Sequence, residues 1–331
     1  MELAKSISVI IPNYNGRQLL QEYLPCNLEV MAATGADFEI IIVDDASKDD
    51  SVAFIRATYP AIKLIINQEN KGLSYCYNRG TEAARYELIL LLNGDVKLTA
   101  GYFDQQWKYF LRWDTFGVIG RIIDMDGDHI QEAGQIPKFN GFMLKTDYRY
   151  YSKNEKDRLY TFYLSGSNAL IHAEKLRQIG GFYELFSPFC GEDIELSMRA
   201  WRLKSKCYYE HQAVCRRRGT PATQNGGTGN GGKSVHFRNR FYLHAIHLNG
   251  FALLAWHCQV ALTILLPRLL IGQTGIWKSY RELFANRKII KMHKEQINEL
   301  IDKNDSHVTI FNAVNKIRKS VKNKKYSRFK S

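Results

Sequence analysis

Four short apolar runs in the N-terminal part of the chain each end in a cluster of small and polar side chains. The first ends Ile11-Pro12-Asn13-Tyr14-Asn15-Gly16, and the second Val43-Asp44-Asp45-Ala46-Ser47-Lys48-Asp49. The third leads to Asn67-Gln68-Glu69-Asn70-Lys71-Gly72 and then Asn78-Arg79-Gly80; the fourth ends Leu92-Asn93-Gly94-Asp95. Turns and helix caps account for such residues one at a time. They account poorly for four successive run ends all carrying them. As parallel strands, these runs bring their ends to one crevice, where open α/β sheets bind ligands. A dinucleotide site would want GxGxxG after the first strand, and it is absent. A further acidic group, Gly191-Glu192-Asp193-Ile194-Glu195 followed by Arg199, stands before a helix-like stretch, where the helix dipole favours carboxylates.

The elements that must position these groups alternate. Residues 7–11, 38–43, 63–67 and 88–92 suit buried parallel strands, and 17–31, 50–58 and 73–84 have helical length. This βαβαβαβ order predicts a parallel sheet covered by helices. Residues 115–151 are punctuated by Gly and Asp and read as hairpins and loops. Helices are expected again at 173–179 and 193–203, then a loop at 216–233, then a long helical stretch at 235–270. Within that loop, residues 227–234 spell GxxxxGK[ST]. A true P-loop follows a buried strand directly, and 220–225 is not strand-like. The segment reads instead as a flap over a bound diphosphate, using Lys233 and the neighbouring arginines.

Composition narrows the class. The chain has 331 residues, 45% hydrophobic and 24% charged, enough for one large or two modest domains and too apolar for disorder throughout. Residues 1–5 run straight into the first apolar stretch, so no secretory leader is expected. Six scattered cysteines without a CxxC pair suit reduced thiols in the cytosol rather than disulfides or zinc.

Jointly ordered, Ser8-Val9-Ile10-Ile11-Pro12-Asn13-Tyr14-Asn15-Gly16, Val43-Asp44-Asp45-Ala46-Ser47 and Leu92-Asn93-Gly94-Asp95 resemble the signatures of glycosyltransferase family 2. Ser165-Gly166-Ser167-Asn168-Ala169, Ile179-Gly180-Gly181-Phe182-Tyr183-Glu184 and Gly191-Glu192-Asp193 agree with it, and the resemblance covers roughly residues 7–248. It implies an α/β GT-A fold, a Rossmann-like nucleotide-diphospho-sugar transferase domain, over residues 1–248. Residues 249–331 would form a helical, basic, membrane-proximal extension. Asp44 or Asp45 would accept from the base imide and from ribose hydroxyls. Pro12 and Tyr14 would flank the base, Asn70, Lys71 and Gly72 would line the donor pocket, and Arg79 would reach the base or a phosphate. Asn93-Gly94-Asp95 stands where the family carries DxD. There Asp95 would hold a divalent cation, Mg²⁺ or Mn²⁺, that bridges the diphosphate. Asp193 would be the base that deprotonates the acceptor hydroxyl, in a single displacement that inverts the anomeric centre, with Glu192 near the acceptor. One departure stands out. The family's metal-binding His is missing after the strand that follows the acidic helix, where this chain reads Cys215-Arg216-Arg217-Arg218. His211, His236 or the arginines would have to serve.

Within the resemblance, the second half is similar to bacterial rhamnosyltransferase-like enzymes of surface-polysaccharide assembly, with Arg238-Asn239 opening the helix after the loop. The donor would be a UDP- or dTDP-sugar and the acceptor a glycan or lipid-linked glycan. The alternative is a non-catalytic sugar-nucleotide-binding or scaffold protein on the same fold. The net charge of +13 sits mainly at the C-terminal end, where residues 275–331 carry fifteen Lys and Arg against five Asp and Glu. Before it lies the most apolar stretch, 251–271, interrupted by His257, Gln259 and Arg268. Together they predict an interfacial helix on an anionic cytoplasmic membrane face, with a membrane span or a buried helix as the alternatives; no nucleic-acid-binding motif accompanies the charge.

Overall fold

The computed structural model describes residues 5–152, 154, 157–218 and 230–329. Its N-terminal half alternates β1 (Ile7–Asn13), α1 (Arg17–Ala33), β2 (Phe38–Asp44), α2 (Ser51–Thr58), β3 (Lys63–Ile66), α3 (Leu73–Ala83) and β4 (Leu88–Leu91). The short β5 (Val96–Leu98) and α4 (Trp107–Phe110) precede β6 (Thr115–Asp124), β7 (Ile130–Glu132), β8 (Gly134–Asn140), β9 (Met143–Ser152) and β10 (Leu159–Tyr160). Then come β11 (Ala169–His172), α5 (Ala173–Gln178), α6 (Glu192–Arg202) and β12 (Lys206–Arg217).

The main sheet runs β10-β12-β6-β11-β4-β1-β2-β3, with β5 paired to β12 and β7 to β6. As the apolar runs predict, β4, β1, β2 and β3 are parallel. β11 enters between β4 and β6 antiparallel to both, a crossover the local pattern does not reveal. Register sets the strand ends level: Asn13 lies opposite Asp44, and Asp44 opposite Ile66. Helix α1 buries Leu20, Tyr23, Leu24, Asn27 and Met31, the spacing of one helical face. Asn27 donates to Val96 O (2.9 Å) and accepts from Leu98 N (2.8 Å), so α1 fixes the strand that follows Asp95. Helix α3 lies close on the sheet because Gly80 faces Ile10; a Cβ there would sit 2.4 Å from Ile10 Cγ2.

The C-terminal segment continues as α7 (Asn230–His247), α8 (Gly250–Leu270), α9 (Gly275–Ala285), α10 (Arg287–Lys303), α11 (Ile310–Val321) and β13 (Tyr326–Phe329). β13 joins β9 and β8 in a separate small sheet. Two expectations need correction here. Residues 216 and 217 continue β12, so the loop is shorter than residues 216–233, and α7 begins at Asn230, so Arg238 and Asn239 sit inside a helix instead of opening one. Residues 219–229 of the expected flap lie outside the described residues, and its last part, from Asn230, is the start of α7. The basic segment is folded: Ile290, Ile297, Ile310 and Ile317 are buried in the same apolar cluster as Ile10 and Leu91.

Candidate active site

Strand ends β1 and β2 supply a scaffold of satisfied carboxylates. Asp44 is fully buried and accepts from Asn13 Nδ2 (2.8 Å), Ser47 N (2.9 Å) and Ser47 Oγ (2.6 Å). Asp45 accepts from Asn67 Nδ2 (2.8 Å), Lys71 N (3.0 Å) and Gly72 N (2.8 Å). It thereby ties β2 to the start of α3. Both acids hold the pocket wall together in this structure. Ala46 between this pair and Ser47 has φ 61°, a left-handed conformation unusual for a residue with a Cβ and typical of ligand-binding turns. The groups left facing outward are Tyr14, half exposed, with Asn70 and Lys71, while Pro12 is partly covered beside them. Lys71 also lies 3.2 Å from Glu69. Arg79 lies farther along α3, where its guanidinium donates to the Tyr75 hydroxyl (3.3 Å).

The end of β4 is tied in differently. Asn93 Nδ2 donates to Ser167 Oγ (3.0 Å), and its Oδ1 lies 2.9 Å from the Tyr77 hydroxyl. An amide can do both, so Asn93 joins β4 to the Ser165–Asn168 segment; an acid here would lose the donor half. Gly94 follows, partly covered, and Asp95 comes next, its carboxyl raised by burial and drawn back by the nearby Arg217.

Beside these ends opens a cleft of about 480 Å³. Its walls include Tyr77, Asn93, Glu132, Glu192, Asp193 and Arg217, with His236 and Arg240 of α7 contributing. Glu192 and Asp193 open α6 after Gly191, whose φ of 99° suits only glycine. Asn239 of α7 fixes the loop before them by donating from Nδ2 to Phe186 O (2.6 Å) and Cys190 O (2.7 Å). Ser187 Oγ joins that loop to the segment before α3 at Lys71 O (3.2 Å). Glu192 Oε2 and Asp193 Oδ1 are buried without a hydrogen-bond partner among the described residues. Burial pushes the Glu192 carboxyl up to about 7. Burial and then the neighbouring Glu192 charge push Asp193 well above the usual carboxylate range, against the Gly166 N–H. Two carboxyls with spare oxygens and raised proton affinity are suited to accept a proton from a bound hydroxyl.

The family model for glycosyl transferase family 2 matches residues 8–180. The chain belongs to glycosyl transferase family 2. This family 2 chain is 27% identical over 211 residues to polypeptide N-acetylgalactosaminyltransferase 13 of Rattus norvegicus, covering 58% of itself and 38% of that protein. It is 32% identical over 98 residues to undecaprenyl-phosphate 4-deoxy-4-formamido-L-arabinose transferase of Pseudomonas savastanoi pv. phaseolicola, covering 28% of itself and 29% of that enzyme. It therefore spans well under half the length of these curated relatives. A solved mannosyltransferase from Pyrobaculum calidifontis, in complex with GDP-Man and Mn²⁺, superposes over 90% of this chain and 88% of that one, with TM-score 0.54 at 16% identity. The fold of the family 2 chain is thus GT-A with a C-terminal helical region.

The cation implied by the resemblance meets an unfavourable setting here. In the register of β12 on β5, Arg217 lies opposite Val96, one residue beyond Asp95. A guanidinium thus stands at the strand end where the family's His is expected, and a dication on Asp95 would meet a like charge. Among the described residues no three His, Cys, Asp or Glu gather to hold a metal. His211 is buried on β12 near Glu210 and Arg121, and is absent from the cleft lining. The residues present fit a metal poorly.

Sequence reasoning named the arginines only as a group. The structure separates them. Arg216 donates to the carbonyls of Asp124 (2.8 Å), Met125 and Gly127 (both 3.0 Å), and Arg218 reaches Glu22 (2.9 Å). Only Arg217 of these three lines the cleft. Glu132 and Tyr77 were missed: Glu132 comes from a segment with no local motif, and Tyr77, next to the Asn78-Arg79-Gly80 cluster, reaches the cleft through hydrogen bonds to Asn93 and Gly166 O that only the fold supplies.

Proposed function

We propose that this protein transfers a sugar from a nucleotide-diphospho-sugar to an acceptor hydroxyl with inversion, Asp193 acting as the base. The observation that carries this reading is the Glu192-Asp193 pair in the cleft, desolvated and with spare oxygens, beside the donor-side strand ends. The nucleotide would rest against Tyr14 and Pro12 at the mouth formed by β1 and β2. Asp44 and Asp45 would act chiefly by holding that mouth, and Lys71 and Arg79 would supply positive charge near it. The diphosphate would then lie by Asn93, Gly94 and Asp95, with the sugar turned toward Asp193. A glycan or lipid-linked glycan of surface-polysaccharide assembly would present its hydroxyl through the cleft. A likeness to a transferase acting on undecaprenyl phosphate supports that acceptor class. Incubation with UDP-, dTDP- and GDP-sugars should release nucleoside diphosphate, slowly by hydrolysis and faster with acceptor. Binding without release would favour the non-catalytic alternative, which Asn93 at the family's acidic position keeps open.

The same protein would work at an anionic cytoplasmic membrane face. Gly250–Leu270 is long and apolar enough to cross a membrane, with mean hydropathy 1.6. One side is taken by the protein: Trp256, Val260, Ile264 and Leu265 are buried, and Gln259 bonds to Asn140 O and Phe142 N (2.8 and 2.7 Å). The other side exposes Phe251, Leu254, Leu262, Leu269 and Leu270. Such a two-sided helix suits lying in an interface. Exposed Arg287, Lys288 and Lys291 at the start of α10 add charge near it, each worth about 1 kcal/mol at an anionic surface. Sedimentation with phosphatidylglycerol vesicles at low salt should carry the protein down. Arg287→Glu/Lys288→Glu/Lys291→Glu should abolish most of it. Wild-type protein that ignores such vesicles would remove the membrane role. Truncation is the wrong test, because α11 buries Ile310, Val314 and Ile317.

A further inference from the structure

Arg217 is a buried cation that is positioned more firmly than a surface arginine needs to be. Its side chain is only 8% exposed. Nε donates to Gln131 Oε1 at 2.8 Å, and Nη1 lies 2.8 Å from Glu132 Oε1 and 3.5 Å from Ser167 Oγ. Glu132 is itself fixed from its other oxygen by Ser165 Oγ at 2.6 Å. Nη2 has no partner among the described residues, and the side chain lines the cleft that also holds Asn93 and Asp193. Arg149 and Arg240 line the same cleft, so an anion entering it meets three guanidinium groups.

We propose that Arg217 does the work that a divalent cation does in related enzymes: it binds the donor diphosphate and neutralises it as it leaves. The inference rests on the glycosyltransferase reading above. The acceptor oxygen forms a bond to the anomeric carbon as the bond from that carbon to the β-phosphate oxygen breaks. The bonding pair stays on the phosphate, and the acceptor proton goes to Asp193. The diphosphate thus gains one negative charge, and a pre-positioned guanidinium stabilises charge that develops in the transition state without having to reorganise. A guanidinium held in place through its other nitrogens also aims its remaining donors at a phosphate, which a lysine ammonium cannot do. Glu132 and Gln131 act as positioning residues: they engage Nη1 and Nε and leave the Nη2 donors for the phosphate. Asp95, next to Arg217, adds a further anchor for it.

Calorimetric titration of the full chain with UDP, dTDP and GDP, in EDTA and then in Mn²⁺, tests this. The expected result is binding of at least one nucleotide with the same affinity in both. Arg217→Gln should weaken that binding about 10- to 100-fold, the usual loss for a hydrogen bond to a charged group. Arg217→Lys should recover only part of it. Arg217→His should make binding dependent on Mn²⁺. Because the EDTA comparison uses the unaltered chain, it stands even if Arg217→Gln fails to fold. Binding by wild type that requires Mn²⁺ would overturn the role of Arg217 and leave the glycosyltransferase reading intact. Binding of no nucleotide in either condition would overturn both.

Discussion

Asp193→Asn is expected to lower turnover by about 10²–10⁴-fold, the usual worth of a positioned general base. A sugar hydroxyl is a poor nucleophile at neutral pH, so its proton must go somewhere as it attacks. Asn keeps the shape of the side chain but cannot take that proton. Donor affinity should hardly change if, as proposed, Asp193 faces the acceptor and the nucleotide rests at the strand ends. Glu192→Gln should do less to the chemical step. The pH profile supplies a second readout. In wild type, kcat/KM should rise with pH as the pair ionises, Glu192 being pushed up to about 7, and that acid limb should flatten in Asp193→Asn. Stability separates chemistry from folding. A carboxyl whose proton affinity rises on folding favours the native state at low pH, and that contribution fades as pH climbs from the ordinary carboxylate value toward the folded one. Either amide should therefore raise the unfolding temperature at pH 8 and leave it unchanged at pH 4. Near-normal turnover in Asp193→Asn with collapse in Glu192→Gln would move the base to Glu192. Loss of donor binding in Asp193→Asn would make its role structural.

The strand ends were legible because their chemistry is local. Four apolar runs with polar ends specify parallel strands and a crevice, and the ordered motifs specify the family. What the individual acids do was less legible. Asp44 and Asp45 look alike in sequence, yet each is committed by partners that only the fold supplies, Asn13 and Ser47 for one and Asn67 with the Lys71 and Gly72 N–H groups for the other. Arg217 was hidden for a similar reason. Three consecutive arginines have equal claims until strand register decides which one lies beside Asp95 and lines the cleft. The basic segment shows a different limit: its charge count hid its pattern. Ile290 and Ile297, then Ile310, Val314, Ile317 and Val321, keep helical spacing through the lysines, and all are buried. Charge there covers the outside of packed helices.

Arg199→Met should cost about 3–5 kcal/mol of stability, the usual loss when one member of a buried ion pair is removed. Arg199 and Glu195 are both fully buried, one helical turn apart on α6, joined through Arg199 Nε to Glu195 Oε1 (3.0 Å) and Nη2 to Oε2 (2.5 Å). Arg199 also donates to Ile179 O (2.5 Å) and lies 3.8 Å from the centre of the Tyr183 ring, which stacks on His293 of α10. Burial raises the Glu195 carboxyl, but Arg199 and then the His247 contact outweigh it and hold the group below its ordinary value. Beside Arg199, burial lowers the His247 pKa to about 4, so the ring contacts Glu195 in its neutral form. With Arg199 gone, Glu195 keeps only the His247 contact (3.4 Å) and the more distant charge of Arg202, and its buried charge is under-compensated. The sign of its pH dependence then reverses. In wild type the pair stabilises above the ordinary carboxylate pKa and weakens as pH falls toward the lower folded value; in Arg199→Met, acidification protonates Glu195 and relieves the strain. Urea unfolding at pH 7 and pH 5 should show the deficit of the variant shrinking at the lower pH. Glu195→Gln combined with Arg199→Met should recover much of the loss at pH 7. A single variant within about 1 kcal/mol of wild type at pH 7 would mean that the pair contributes little to the fold. Because α6 begins at Glu192 and Asp193, turnover should fall with stability in Arg199→Met and return with it in the double variant, which links the buried pair to the position of the base.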